Sequence, residues 1–175
     1  MKRVSGALAV VVMLATAPFI ADTSAASARA VEAPRAGTTL GILTFPTIAV
    51  EQRLLVGIGD TTLARGLGLM PGTGMPGNVG NAVIAGHRTS HGAPLLRIDR
   101  LKVGDPIYFT SSGRASVRYE FRVTKRQIVK ADALWITRPT KNPTLTIFAC
   151  HPPHSIAFRF VIFARLVNPP ARTPA

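Results

Sequence analysis

The sequence predicts an all-β domain, an antiparallel barrel or sandwich, and three observations support this fold class. Short apolar and β-branched runs recur along the chain and are separated by Gly, Pro, Asn and Asp. Helical periodicity is scarce. After an export-like N-terminal segment roughly 145 residues remain, which is enough for one domain with a hydrophobic core.

The predicted strands follow one another at the spacing typical of a barrel or sandwich. In chain order they are Leu40–Val50, Arg53–Val56, Asn81–His87, Pro106–Thr110, Ser116–Thr124, Lys125–Val129, Thr144–Cys150 and Ala157–Val167. We expect one capped helical turn at Asp60–Arg65 and a short helix at Ala93–Leu101. The segment Leu67–Gly80 is so rich in Gly and Pro that we expect only an ordered loop there.

The first 28 residues have the layout of an export signal. Lys2 and Arg3 precede the apolar stretch Ala7–Ala21, and Ala26–Ala28 fits an A-x-A cleavage site. The apolar stretch is shorter than the ~20 residues that a membrane span usually needs. Residues 1–28 are therefore predicted to be either a cleaved signal peptide or an uncleaved signal anchor.

The rest of the chain divides into a linker, one domain and a tail. Residues 29–39 are predicted to be a linker and residues 40–168 the folded domain, while the proline-containing residues 169–175 are predicted to be a disordered end. No second apolar span follows the first. We therefore expect a soluble body outside the cytoplasm, in the cell wall or at the outer face of the cytoplasmic membrane, with the N-terminus as a membrane anchor if it is not cleaved.

The chain is strongly basic, with 21 Lys and Arg against 8 Asp and Glu, a formal charge of +13. In a cytoplasmic protein this balance would suggest nucleic acid as a partner. In an exported protein it favours anionic wall polymers or lipid headgroups, and we expect no nucleic-acid partner. Because the bases are scattered, solubility with weak wall adhesion is the simpler interpretation. No C-x-x-C or H-E-x-x-H spacing occurs, so we expect no metal and no cofactor.

Cys150 is the only cysteine in the chain. An unpaired thiol outside the cell risks oxidation, so its presence favours a reactive role. The alternative is a buried thiol that behaves as a small hydrophobe. If the two last predicted strands are antiparallel neighbours, Cys150 ends one as Arg159 begins the next. The guanidinium could then increase the thiolate fraction and stabilise an oxyanion formed by thiolate attack on a carbonyl.

Cysteine-based acyl transfer also needs a proton shuttle, normally histidine, and the chain has four candidates. His151 is adjacent to the cysteine, but successive strand residues point to opposite faces. His91 and His154 are predicted to lie in turns. His87 ends a predicted strand that a sheet could bring close to the cysteine. The chemistry favours His87 without excluding the others.

Two blocks of the sequence resemble the signature blocks of sortases, the exported cysteine transpeptidases of Gram-positive bacteria. They are AVIAGHRTSHGAPL (Ala82–Leu95) and TLTIFACHPPHSIAFRFVIFARL (Thr144–Leu166). The resemblance is greatest to actinobacterial class E sortases, whose blocks read approximately GHRT-x-x-GAP and TLTTCHP, with Arg nine residues after Cys. It extends over roughly Leu40 to Val167.

The resemblance implies a closed antiparallel eight-stranded β-barrel with one or two short helices. It also implies that His87 is the catalytic histidine, Cys150 the nucleophile and Arg159 the arginine on the oxyanion side. The acidic residues are few and dispersed, so a calcium site like that of some relatives is not supported. The chain departs from the family in having Phe148-Ala149 where relatives commonly have Thr-Thr, so a degenerate, inactive member is an alternative.

The reaction implied is cleavage of an LPxTG-like or LAxTG-like C-terminal sorting signal between Thr and Gly. The acyl group would pass to an amine of a peptidoglycan precursor or a pilin lysine. Two other functions stay open. Ser90–Gly92 is similar to part of the S-H-G-C motif of L,D-transpeptidases, but Ala93 follows and the cysteine is distant. A non-catalytic wall-binding module, held by its positive charge, would leave Cys150 with a structural role.

Overall fold

The computed structural model of the protein describes residues 34–113 and 115–167. The predicted signal segment 1–28, the first part of the predicted linker and the predicted tail 169–175 lie outside the described residues. Within the described ranges, no helix has the length and apolar character needed to span a membrane.

Eight strands in the described part of the chain close into a barrel in the order β1-β2-β3-β4-β7-β8-β6-β5. They are β1 (Thr39–Phe45), β2 (Val50–Val56), β3 (Leu67–Leu69), β4 (Asn81–Ala85), β5 (Pro106–Ser111), β6 (Arg118–Lys130), β7 (Thr144–His151) and β8 (Phe158–Leu166). The helical elements are α1 (Asp60–Leu63) and three 3₁₀ turns, Pro46–Ile48, Ile98–Arg100 and Leu134–Thr137.

The closed eight-stranded barrel is confirmed, with a difference in strand direction. Six neighbouring pairs are antiparallel, as expected, but β2–β3 and β4–β7 are parallel. Parallel neighbours need a connection that crosses back along the sheet. The chain between β4 and β7 provides this with β5 and β6, and the chain between β2 and β3 with α1.

Two predicted segments differ because of local backbone constraints. The single strand predicted at Leu40–Val50 is interrupted at Pro46, which fixes φ and lacks an N–H for the sheet. The predicted loop Leu67–Gly80 contains β3. A Cβ added at Gly68 would lie 2.1 Å from the carbonyl oxygen of Gly57, so glycine is needed there for close strand pairing, not for a loop.

Two further predictions differ in their limits. The segments Ser116–Thr124 and Lys125–Val129 form one long strand, β6, whose register against β8 skips between Val123 and Lys125. This bulge reverses the inward and outward alternation and gave the impression of two strands. The predicted helix Ala93–Leu101 is reduced to the 3₁₀ turn at Ile98–Arg100. The helical turn expected at Asp60–Arg65 is present as α1, but its N-cap residue is Gly59 and no side chain caps it.

The hydrophobic side chains form two clusters, one inside and one outside the barrel. The interior is filled by fully buried residues such as Phe45, Phe109 and Phe121. The outer cluster consists of buried Val129, Ile136 and Val161 with partly buried Ala133, Phe148 and Phe163. The 3₁₀ turn Leu134–Thr137 contributes to this cluster, and its Trp135 stacks on Phe163 with ring centroids 6.0 Å apart. The 3₁₀ turn Leu134–Thr137 therefore covers the outer face of β7 and β8 near the middle of the two strands.

Candidate active site

Strand β7 has an inner face that packs in the barrel and an outer face that carries the cysteine. Leu145, Ile147 and Ala149 belong to the interior cluster. Phe148 belongs to the outer cluster, and Cys150 follows it on the same face. Cys150 is half-buried, at the end of the strand where the outer cluster stops. The thiol is thus presented on an outer surface and not inside the core.

Cys150 and Arg159 are direct cross-strand partners on β7 and β8, so the structure brings this predicted pair together. The NH1 group of Arg159 donates hydrogen bonds to the carbonyl oxygens of Ile156 (2.7 Å) and Phe158 (2.9 Å). These bonds hold one end of the guanidinium in the β7–β8 loop. Its Nε and NH2 groups donate to none of the described residues, which leaves them free to bind a substrate oxygen.

His87 lies two residues beyond the last strand pair of β4 and β7. In that parallel pair Ala85 is opposite Phe148, and the amide of Gly86 donates to the carbonyl of Phe148 at 3.2 Å. His87 follows Gly86 directly, so the chain leaves β4 at the end of the sheet where β7 carries Cys150. The Nε2 atom of His87 is buried and has no hydrogen-bond partner among the described residues. An orphaned imidazole nitrogen at this position is suited to exchange a proton with a reacting group.

The other histidines have different environments. His91 is exposed in a turn, and its ring stacks on His87 with centroids 4.8 Å apart and planes 27° apart. His154 is exposed in the β7–β8 loop. His151 lies on the inner side of β7, where its ring is 5.7 Å from that of the buried Phe160. The structure therefore separates His151 from the face that carries Cys150.

A family model for the sortase domain matches residues 43–167. The chain belongs to the sortase family. Sortases are typically cysteine transpeptidases and are usually extracytoplasmic. A comparison with curated protein sequences found no significant match.

Solved sortases from several bacteria share this fold. Sortase E of Streptomyces avermitilis is 22% identical, with 77% of this chain and 91% of that chain covered and a TM-score of 0.69. A lid mutant of Corynebacterium diphtheriae sortase A is 26% identical, with 78% and 73% covered and the same TM-score of 0.69. Clostridium perfringens sortase C, solved with the C-terminal cell wall sorting motif, is 21% identical, with 77% and 73% covered and a TM-score of 0.69.

Within this sortase, the residues that replace the family's Thr-Thr are packing residues. Phe148 joins the outer cluster with Val161 and Phe163. Ala149 is 2% exposed and lies in the barrel interior. The two side chains point to opposite faces, and neither occupies the position of the thiol. The departure from the family pattern therefore coincides with hydrophobic packing on both sides of β7.

Sequence reasoning missed one residue that contacts the backbone of Cys150. Arg88 is 2% exposed and donates to the carbonyl oxygen of Cys150 at 3.4 Å. In the sequence, Arg88 stands out only as a member of the block Ala82–Leu95. Its position directly after His87 is the signal that could have identified it, because a residue next to His87 also lies near the end of β7.

No group of three or more His, Cys, Asp or Glu side chains capable of holding a metal ion occurs in the ranges 34–113 and 115–167.

Proposed function

We propose that this sortase cleaves a C-terminal sorting signal resembling LPxTG or LAxTG between Thr and Gly, and transfers the acyl group to an amine. The observation that carries the proposal is the direct cross-strand pairing of Cys150 with Arg159 on the outer face of the barrel. His87, which follows the neighbouring strand β4, supports it with a buried Nε2 that has no partner among the described residues.

In the first step the Cys150 thiolate attacks the carbonyl carbon of the signal's Thr. A C–S bond forms and the carbonyl oxygen becomes an oxyanion. The free Nε and NH2 groups of Arg159 donate to this oxygen, while NH1 remains bound in the loop. Preorganised donors of this kind stabilise charge that develops only in the transition state.

In the second step the C–N bond to Gly breaks, and His87 donates the proton that the departing amine needs. The acyl group is then held as a thioester on Cys150. An amine of a peptidoglycan precursor or of a pilin lysine attacks the thioester carbonyl and gives a proton to His87, and the C–S bond breaks to release Cys150 as the thiolate. Attack by water instead gives hydrolysis.

The cellular setting of the proposal follows from the sequence. Residues 40–168 form the catalytic domain outside the cytoplasm, in the cell wall or at the outer face of the membrane. Residues 1–28 direct export and are either removed or kept as the anchor. The substrates at this location are the sorting signals of surface proteins or pilins.

The experiment that tests the function uses fluorogenic LPxTG and LAxTG peptides with the wild-type protein and Cys150→Ala. We expect cleavage by the wild type, a trapped acyl-enzyme visible by mass spectrometry, and loss of both in the variant. Cleavage that persists in Cys150→Ala would remove the cysteine from the mechanism. A wild type that cleaves no sorting peptide and reacts slowly with alkylators would instead favour a non-catalytic wall-binding domain, the alternative based on the positive charge of the chain.

A further inference from the structure

Two residues of the sortase-like blocks have no role in the proposed reaction, Arg88 and His151. Arg88 directly follows His87, and His151 directly follows Cys150. The Arg88 side chain is 2% exposed, although arginine is rarely buried in protein structures. A buried guanidinium is costly unless its donors are bonded and its charge is paired. Its partners therefore indicate what it does.

Arg88 connects two parts of the chain that meet at one end of the barrel. On one side, its NH2 group forms an ion pair with Asp99 at 3.0 Å, and its Nε donates to the carbonyl oxygen of Leu96 at 3.4 Å. On the other side, NH1 contacts the Nδ1 atom of His151 at 2.6 Å and donates to the carbonyl oxygen of Cys150 at 3.4 Å. The guanidinium thus anchors the last two residues of β7 to the segment that follows β4.

The contact with Cys150 takes the place of a missing sheet hydrogen bond. The amide of Gly86 donates to the carbonyl of Phe148. In a regular parallel ladder the next bond would run from the amide of residue 88 to the carbonyl of Cys150. Because β4 ends at Ala85, that bond does not form, and the side chain of Arg88 reaches the same carbonyl instead.

The contact with His151 fixes the state of the imidazole ring. A guanidinium can only donate hydrogen bonds, so Nδ1 of His151 must be the acceptor and cannot carry a proton. The ring proton is then on Nε2. The bond also holds the ring on the inner side of β7 near Phe160, 5.7 Å between centroids, and away from the face that carries Cys150.

We propose that Arg88 is a positioning residue of this sortase. It holds the end of β7 so that the thiol of Cys150 stays on the outer face beside Arg159, while the ring of His151 stays inside. The proposal rests on the proposed role of Cys150 as nucleophile. Without Arg88, the Cys150 carbonyl and the His151 Nδ1 atom lose their partner, and the thiol is no longer held at one position.

The test compares two pairs of variants, Arg88→Met with Arg88→Lys and His151→Leu with His151→Asn. Two quantities are measured: kcat and KM for a sorting peptide, and the rate of Cys150 alkylation, which needs no peptide. For Arg88→Met we expect kcat to fall about tenfold to a hundredfold with KM within about twofold, because a misplaced nucleophile affects the chemical step. Arg88→Lys should lose nearly as much, since one ammonium cannot replace a planar fork that contacts four acceptors.

The His151 pair tests the same contact without removing the buried charge. Asn carries a side-chain oxygen near the position of the imidazole Nδ1, so His151→Asn keeps an acceptor for Arg88 and should retain most of the wild-type kcat. His151→Leu removes the acceptor and should lower kcat about tenfold. The two His151 variants still test the contact if Arg88→Met does not fold. Equal activity in His151→Asn and His151→Leu would overturn the proposal.

Ile107→Val is the control for a purely structural effect. Ile107 is fully buried in β5, which β6 and β8 separate from β7, and the change should destabilise the fold without touching the site. If Arg88→Met lowers kcat no more than Ile107→Val does, the positioning role is excluded. If the wild type cleaves no sorting peptide, the proposed function fails, but the alkylation rates of Cys150 still test whether Arg88 positions the thiol. A change of about fivefold or more in Arg88→Met against Ile107→Val supports positioning, and equal rates exclude it.

Discussion

The two faces of β7 differ in how their environment changes along the strand. The inner face is fully buried from Leu145 through Ile147 to Ala149, and His151 at its end is partly buried. The outer face is graded, from Thr146, which is fully buried, to Cys150, which is half-exposed. A single strand thus has one face packed in the barrel and one that carries a partly exposed thiol, and residues adjacent in sequence have different environments because they lie on different faces.

The end of the strand shows this difference most clearly. Cys150 faces outward beside Arg159, and His151 faces inward against Arg88. The two residues of the conspicuous C-H pair therefore lie on opposite faces of β7. His87 instead follows the end of β4, a strand that runs parallel to β7.

The largest expected effect separates His87 from the other histidines. We expect His87→Gln to lower kcat/KM about 10²- to 10⁴-fold, because it removes the group that protonates the leaving amine. His91→Gln is the matched control, since His91 only stacks on His87 from an exposed turn, and it should change kcat/KM by a few-fold at most. Steady-state cleavage of a sorting peptide measures both. An equal loss in both variants would mean that the wrong histidine has been assigned.

The next effect compares two arginines on the outer face of β8. Arg159 lies opposite Cys150, whereas Arg165 lies opposite Thr144 at the far end of the same face, beside a groove of about 480 Å³. Arg159→Met should lower kcat about 10²- to 10³-fold, as expected for loss of an oxyanion donor. Arg165→Met keeps the same change in charge and should leave kcat within about twofold of the wild type. A similar loss in both would point to overall charge instead of local donation.

How far the sequence predicts this site depends on how local the relevant contacts are. The Cys150–Arg159 pair follows from alternation along two strands joined by a short loop, and the structure has it as predicted. The parallel pairing of β4 with β7 joins strands that are far apart in the chain. No local pattern specifies it, and only the family resemblance favoured His87 clearly.

The predictions that were wrong have equally specific causes. β3 was assigned to a loop because Gly68 is also a signal for turns, whereas here it allows close strand contact. The bulge at Thr124 interrupts the alternation along β6, so the sequence pattern predicts two strands where the structure has one. The role of Arg88 was not visible because a basic residue is expected at the surface, and its burial depends on partners that only the closed barrel brings together.

The smallest expected effect concerns the closed part of the outer face. The hydroxyl of Thr146 donates to Asn81 Oδ1 at 2.7 Å, and Asn81 Nδ2 donates to the carbonyl oxygens of Ile136 (2.9 Å) and Arg138 (3.1 Å). These bonds connect β7 and β4 to the 3₁₀ turn that covers the outer cluster. Thr146→Val keeps the shape of the side chain but leaves a buried amide oxygen without its donor. We therefore expect the free energy of unfolding to fall by about 1 to 3 kcal/mol.

Urea denaturation measures this change as a lower midpoint at an unchanged m-value. Thr144→Val is the control on the same strand and face, because its hydroxyl bonds lie near the surface, where water can replace them. It should change the free energy of unfolding by only about 0.5 kcal/mol. Equal losses in the two variants would contradict a graded outer face, because they would show that β7 is no more closed at Thr146 than at its partly buried beginning, Thr144.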